Sequence, residues 1–177
     1  VDETDLNPTD SDSSTIIADF GGDTLDSYTV TGLQTISFNG AKNGALTSNG
    51  VPVTIAIVGN SYVGTAGGQE IFRLDINKDT GRYDFTLKGT LDHADITNPD
   101  DIIQIKFGVT ATDTDGDTDK DFITVNIKDD GPVAHDDDLC ILTGYSKDGG
   151  NVIVNDDQGS DIKATVTPVN FNGTDYA

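Results

Sequence analysis

A period of two in the apolar residues constrains this chain more than any other feature. Glu70–Ile76 sets Phe72, Leu74 and Ile76 on one side of an extended backbone and Arg73 and Asp75 on the other. Arg82–Lys88 gathers Tyr83, Phe85 and Leu87, and Ile103–Thr112 gathers Ile103, Ile105, Phe107 and Val109. Val51–Gly59 aligns Val53, Ile55 and Ile57. Successive side chains of a strand point to opposite faces, so each run predicts a strand with one buried face. Tyr28–Leu33, Thr35–Phe38 and Phe122–Lys128 are β-like but alternate less cleanly. No stripe at helical spacing lasts three turns. Thr, Val, Ile, Asp, Asn and Gly dominate where helix formers would be needed. Asn39-Gly40, Asn43-Gly44, Asn49-Gly50 and Asp79-Thr80-Gly81 punctuate the runs as turns. Short strands with turn signals at this spacing predict an all-β fold, an antiparallel Ig-like β-sandwich.

The pattern also predicts an organisation. Residues 1–15, rich in Asp, Ser and Thr, read as an acidic lead-in, and 16–130 as the sandwich. Pro132 cannot donate to a ladder, so 131–138 reads as an acidic linker. Leu139–Leu142, Asn151–Val154 and Ala164–Asn170 are strand-like again, so 139–177 reads as the start of a second β module. The rival reading is that these strands complete the first. Beginning at Val1 rather than Met, the sequence reads as a piece of a longer chain.

The chain carries 31 acidic against 10 basic residues, a net charge of −21. Such a surface repels polyanions, which argues against nucleic acid or an anionic membrane as partner. Apolar runs such as Thr54–Val58 are far short of a membrane span, so no membrane insertion is expected. One cysteine, Cys140, excludes an internal disulfide framework and reads as a small buried hydrophobe. The charge leaves two explanations: a disordered acidic tail, or a folded protein whose carboxylates are neutralised by cations. The alternation disfavours the first for residues 16–128.

The acids are clustered. Asp113, Asp115, Asp117, Asp119 and Asp121 alternate strictly across nine residues, with Gly116 permitting a sharp turn. A hard divalent cation takes 6–8 oxygens from carboxylates and carbonyls on a tight loop, which this string supplies. It is not an EF-hand, because Gly116 falls two places early and the flanks are strands. The bland alternative is a solvated turn, in which close like charges repel. A second cluster, Asp129-Asp130 and Asp136-Asp137-Asp138, brackets Pro132 and reads either as a calcium-rigidified linker or as a soluble one. A third, Asp92, Asp95, Asp100 and Asp101, precedes the Ile103 strand. If the last two long strands pair, the 113–121 loop lies at one pole, where Asp2 and Glu3 are expected to join it. Asp129 and Asp130 then lie at the other pole beside Asp101, so that one site faces the preceding module and one the following.

Several strings together resemble the long repeats of the giant adhesins of the RTX group, which bacteria export by type I secretion. They are Gly81–Leu87, Leu91-Asp92-His93-Ala94-Asp95, Phe107–Asp117, and Val125–Val133 with its Asp129-Asp130-Gly131-Pro132 ending. The opening Val1-Asp2-Glu3-Thr4-Asp5-Leu6 is similar to the start of such a repeat, and Asn151–Asp156 to an early strand of a following cadherin-like module. The resemblance implies tandem Ig-like or cadherin-like sandwiches, Ca²⁺ at module edges, and folding outside the cell at the bacterial surface. By motif match it implies Asp113, Asp115 and Asp117 as ligands, with Asp129, Asp130, Asp136 and Asp137 in the linker. Partners would be neighbouring repeats of the same chain, with a host or surface ligand engaged through other modules. The expected function is a calcium-stiffened extender supporting adhesion and biofilm; the alternative is a module that binds sugar or peptide itself. The glycine-rich nonapeptide of RTX β-rolls is not repeated: Gly21-Gly22-Asp23-Thr24-Leu25-Asp26 matches once, with Thr24 where Gly is needed.

Catalysis is not expected. There is no G-x-S-x-G elbow and no H-E-x-x-H. His93 and His135 sit next to acidic loops, where a histidine can act as a base or a transition-metal ligand, but they read as surface histidines in polar turns; paired carboxylates are uninformative in a chain so rich in Asp.

Overall fold

The computed structural model describes residues 1–38, 44–95, 98, 100–131, 133, 135–136, 156, 169–171 and 174–176. The chain divides into two compact units, Val1–Asp130 and Gly131–Ala177. Among the described residues the first holds a short 3-10 turn, Glu3–Asp5, and ten strands: β1 (Asp10–Thr15), β2 (Leu25–Phe38), β3 (Thr47–Ser48), β4 (Val51–Pro52), β5 (Thr54–Val58), β6 (Ser61–Ala66), β7 (Gln69–Ile76), β8 (Arg82–Leu87), β9 (Ile102–Asp113) and β10 (Thr118–Lys128). In the second unit β11 (Val169–Phe171) and β12 (Thr174–Tyr176) form an antiparallel hairpin. The Leu139–Leu142 and Asn151–Val154 runs and Cys140 lie outside the described residues, as do the Asn39-Gly40 turn and Asn43. Among the described residues no helix is long and apolar enough to cross a membrane.

The first unit is an antiparallel, Ig-like sandwich in architecture, with its own strand order. One sheet runs β1-β8-β7-β6-β5 and the other β10-β9-β2. The alternating runs supply its inner layers. Phe72, Leu74, Phe85, Leu87, Ile103, Ile105, Phe107 and Ile127 are all buried, as the period of two requires. The aromatic rings meet across the gap between the sheets. Phe107 of the second sheet lies 5.0 Å from Tyr62, 6.0 Å from Phe72 and 6.3 Å from Phe85, centroid to centroid. Asn49 and Gly50 both take positive φ, 49° and 74°, in the two-residue turn between β3 and β4. Asn-Gly is the dipeptide that tolerates this at both central positions.

Three elements differ from the sequence reading. Residues 10–15, read as lead-in, form the edge strand β1 against β8, with Asp10 opposite Leu87 and Thr15 opposite Arg82. The runs Tyr28–Leu33 and Thr35–Phe38 are one strand, β2, whose register against β9 shifts between Val30 and Gln34. Ile57, expected on a buried face, is 47% exposed because β5 is the outer strand of its sheet.

Gly81 is fixed by its surroundings. Its φ is +68°, and an added Cβ would sit 2.6 Å from the ring of the buried Tyr28. Gly81→Ala therefore combines a left-handed backbone with a clash against a core ring. We expect it to destabilise the first unit by about 2–3 kcal/mol in urea unfolding. Gly116→Ala, at φ +102° with open space around it, should cost less because only the backbone term applies.

Candidate metal centres

The β9–β10 hairpin presents acids at one end of the sandwich. Thr118 pairs with Thr112, which leaves Asp113–Asp117 as the connecting turn. The Asp113 carboxylate closes that turn, accepting from the amides of Gly116 at 3.0 Å and Asp117 at 2.8 Å. The amide of Thr114 donates to the carbonyl of Thr24 at 3.0 Å, which ties the turn to the start of β2. That contact brings in Asp23: one carboxylate oxygen from each of Asp23, Asp113 and Asp115 lies within 4.8 Å of the others. Asp113 is held below the ordinary carboxylate range, first by a hydrogen bond with the Asp115 side chain and then by the turn's amides, with desolvation acting the other way. Two carboxylates so placed repel each other when both are charged. A divalent cation between them relieves that repulsion. Beside this turn a cleft of about 400 Å³ runs past Ile17, Phe20, Tyr28, Asp117, Asp119 and Asp121.

The other end is different in kind. Glu3, Asp101 and Asp129 are buried there, at 0%, 0% and 7% exposure. They surround His93, whose side chain is 2% exposed. Glu3 Oε1 accepts from the Leu91 amide at 2.9 Å. Asp101 Oδ2 accepts from Ala94 and Asp95 at 3.1 and 2.9 Å, and its carbonyl accepts from the Asp129 amide at 2.9 Å. His93 Nε2 stands 3.6 Å from Glu3 Oε1, and Nδ1 stands 4.0 Å from Asp101 Oδ2. Neither distance is a hydrogen bond, and neither nitrogen has a hydrogen-bond partner among the described residues. Burial alone pushes the imidazole pKa down, but Glu3 and the nearby charges of Asp129 and Asp101 outweigh it, leaving it raised.

The expected ligands thus divide between the two ends. Asp113 and Asp115 come together, while Asp117 contributes its amide to the turn. Asp101 and Asp129 share the opposite end. Asp2 and Glu3 do not reach the 113–121 loop: Asp2 bridges to Lys128 in parallel, and Lys128 Nζ lies 3.6 Å from its carboxylate. Asp130 accepts from the Thr4 hydroxyl at 3.4 Å. The first residues of the unit and the last therefore lie at one end, not at opposite poles. Asp136 is exposed in the second unit, and Asp137 lies outside the described residues. His93 is not a surface histidine, because Glu3, Asp101 and Asp129 close over it. Asp23 was missed as a candidate ligand, and His93 was weighed as a metal ligand but set aside as a surface histidine. The lone Gly21–Asp26 match hinted at Asp23, and the apolar Leu91 two residues before His93 hinted at an inward side.

No curated protein matches the chain. No solved structure matches it either. Residues 1–128, which are most of the chain and nearly all of the first unit, match the family described as Domain of unknown function (DUF5801), and the chain belongs to that family.

Proposed function

We propose that the first unit is a calcium-binding extender module of a secreted bacterial surface adhesin, exported by type I secretion and folded where calcium is abundant. What supports this reading is the convergence of Asp23, Asp113 and Asp115, from two separate segments, on one point of a rigid sandwich. Three carboxylates with backbone carbonyls and water can complete the 6–8 oxygens that Ca²⁺ takes. Of the linker acids, Asp130, Asp136 and Asp137 enter this reading from the sequence alone, whereas Asp129 is buried beside Glu3 and His93. The role is mechanical. Repulsion loosens the apo turn, and the ion fixes it in a chain of neighbouring repeats.

Thermal unfolding in EDTA against a Ca²⁺ series tests it. At a hundredfold excess over Kd, binding stabilises by about 2.7 kcal/mol. For a unit of this size that is a rise in Tm of about 10 °C. Mg²⁺ should give much less, and Asp113→Asn with Asp115→Asn should abolish the rise. An unchanged Tm across the Ca²⁺ series would refute the reading.

The cleft beside the turn favours a second reading, a module that takes sugar or peptide through a calcium bridge. A glycan array separates the two, since a spacer binds nothing.

A further inference from the structure

We infer that Glu3, His93 and Asp129 form a second metal site, distinct from the calcium turn, that takes a borderline divalent cation of the zinc class. The argument starts from His93. A side chain 2% exposed, with neither ring nitrogen hydrogen-bonded among the described residues, leaves polar atoms unsatisfied in the interior. Its surroundings are the wrong ones for a neutral core imidazole. One ligand atom from each of Glu3, His93 and Asp129 lies within 4.8 Å of the others, and all three residues are buried.

The donor set selects the metal. Calcium takes oxygens, whereas imidazole suits zinc and its neighbours. Two ligands on a tetrahedral zinc, each about 2.0–2.2 Å from it, stand roughly 3.3–3.5 Å apart. The observed 3.6 Å between His93 Nε2 and Glu3 Oε1 is within a few tenths of that. The other nitrogen has a carboxylate close by, at 4.0 Å. Metal-bound histidines commonly turn their second N–H to a carboxylate that fixes the ring. Nδ1 faces Asp101 Oδ2, itself held by the amides of Ala94 and Asp95. Glu3 belongs to the opening turn, His93 to the segment before β9, and Asp129 directly follows β10, so one ion would staple three segments distant in sequence.

The test uses the whole chain freed of metal, with Zn²⁺ as probe and calorimetry as readout. One Zn²⁺ per chain should bind, unaffected by His135→Gln or by the Asp113→Asn/Asp115→Asn pair. The pair also separates this site from the calcium turn, so failure of one leaves the other standing. His93→Gln should weaken binding by about 100-fold or more. Because that variant removes a buried group and could fail to fold, His93 is also read in the unaltered chain. Its ring ¹⁵N resonances should move on adding one equivalent of Zn²⁺ while the backbone spectrum stays folded. Unmoved His93 nitrogens, binding in His93→Gln equal to that of the unaltered chain, or displacement of Zn²⁺ by a tenfold excess of Ca²⁺ would each overturn the site.

Discussion

Phe107→Ala is expected to cost the first unit about 3–5 kcal/mol, a large share of the roughly 5–15 kcal/mol that holds a domain folded. The ring is fully buried and is the point at which the two sheets meet, against Tyr62, Phe72 and Phe85. Truncation removes the transfer energy of the ring and leaves a cavity bounded by other rings. Those rings cannot collapse into it, because each is fixed to its own strand. Aromatic pairs add about 0.5–1.5 kcal/mol beyond buried area, and three are lost together. Phe107→Leu keeps most of the volume and should cost roughly half as much. Urea unfolding of the two variants checks this. A cost below about 1 kcal/mol for the alanine would mean that the aromatic layer does not hold the sheets together.

Asp101→Ala is expected to cost about 3 kcal/mol, although its side chain is polar and sits before a strand. The residue is fully buried, and its carboxylate accepts from three amides: Ala94 and Asp95 through Oδ2, and its own Ile102 at 2.8 Å through Oδ1. Removing a buried acceptor costs the desolvation of each stranded donor, about 1–3 kcal/mol apiece. The full sum is not reached, because Ala94 and Asp95 are exposed and water can serve them in part. Asp101→Asn retains a carbonyl oxygen for two of the donors and should lose about half as much. Amide exchange gives a second readout: Ala94 and Asp95 should lose protection in the alanine variant and keep some of it in the asparagine one. Equal stability of both variants with the unaltered chain would show that Ala94 and Asp95 are held by other contacts.

The strands that are buried on one face were legible because burial writes itself as a period of two. Phe72-Leu74-Ile76 and Ile103-Ile105-Phe107 needed no tertiary information to be placed. Strand β1 had no such signature. Asp10, Ser11, Asp12, Ser13 and Ser14 are poor strand formers, and all but Asp10 are exposed, so the strand exists only because β8 offers it a ladder. Strand β6, Ser61–Ala66, also went unread: Gly64 interrupts it, because the Phe72 ring fills the space a Cβ there would need. The acidic turn at 113–117 was legible for the opposite reason. Its residues are neighbours in sequence, so their convergence is local. The centre around His93 is assembled from positions 3, 93, 101 and 129, and no local pattern announces a site whose members meet only through the topology.

Residue 1 and residue 128 are neighbours running in the same direction: the Lys128 amide donates to the Val1 carbonyl at 3.1 Å, and Asp2 bridges Lys128 in parallel. That arrangement decides how the unit answers tension. A pull backward on Val1 and forward on Lys128 drags two adjacent segments past each other, so the bonds between them, and the Glu3 and Asp129 carboxylates just beyond, bear the load together. Antiparallel ends would instead peel apart one bond at a time. Under force, the seam between the first and last residues of the unit would act as a shear clamp, and its resistance would be set by how firmly those few residues hold to one another.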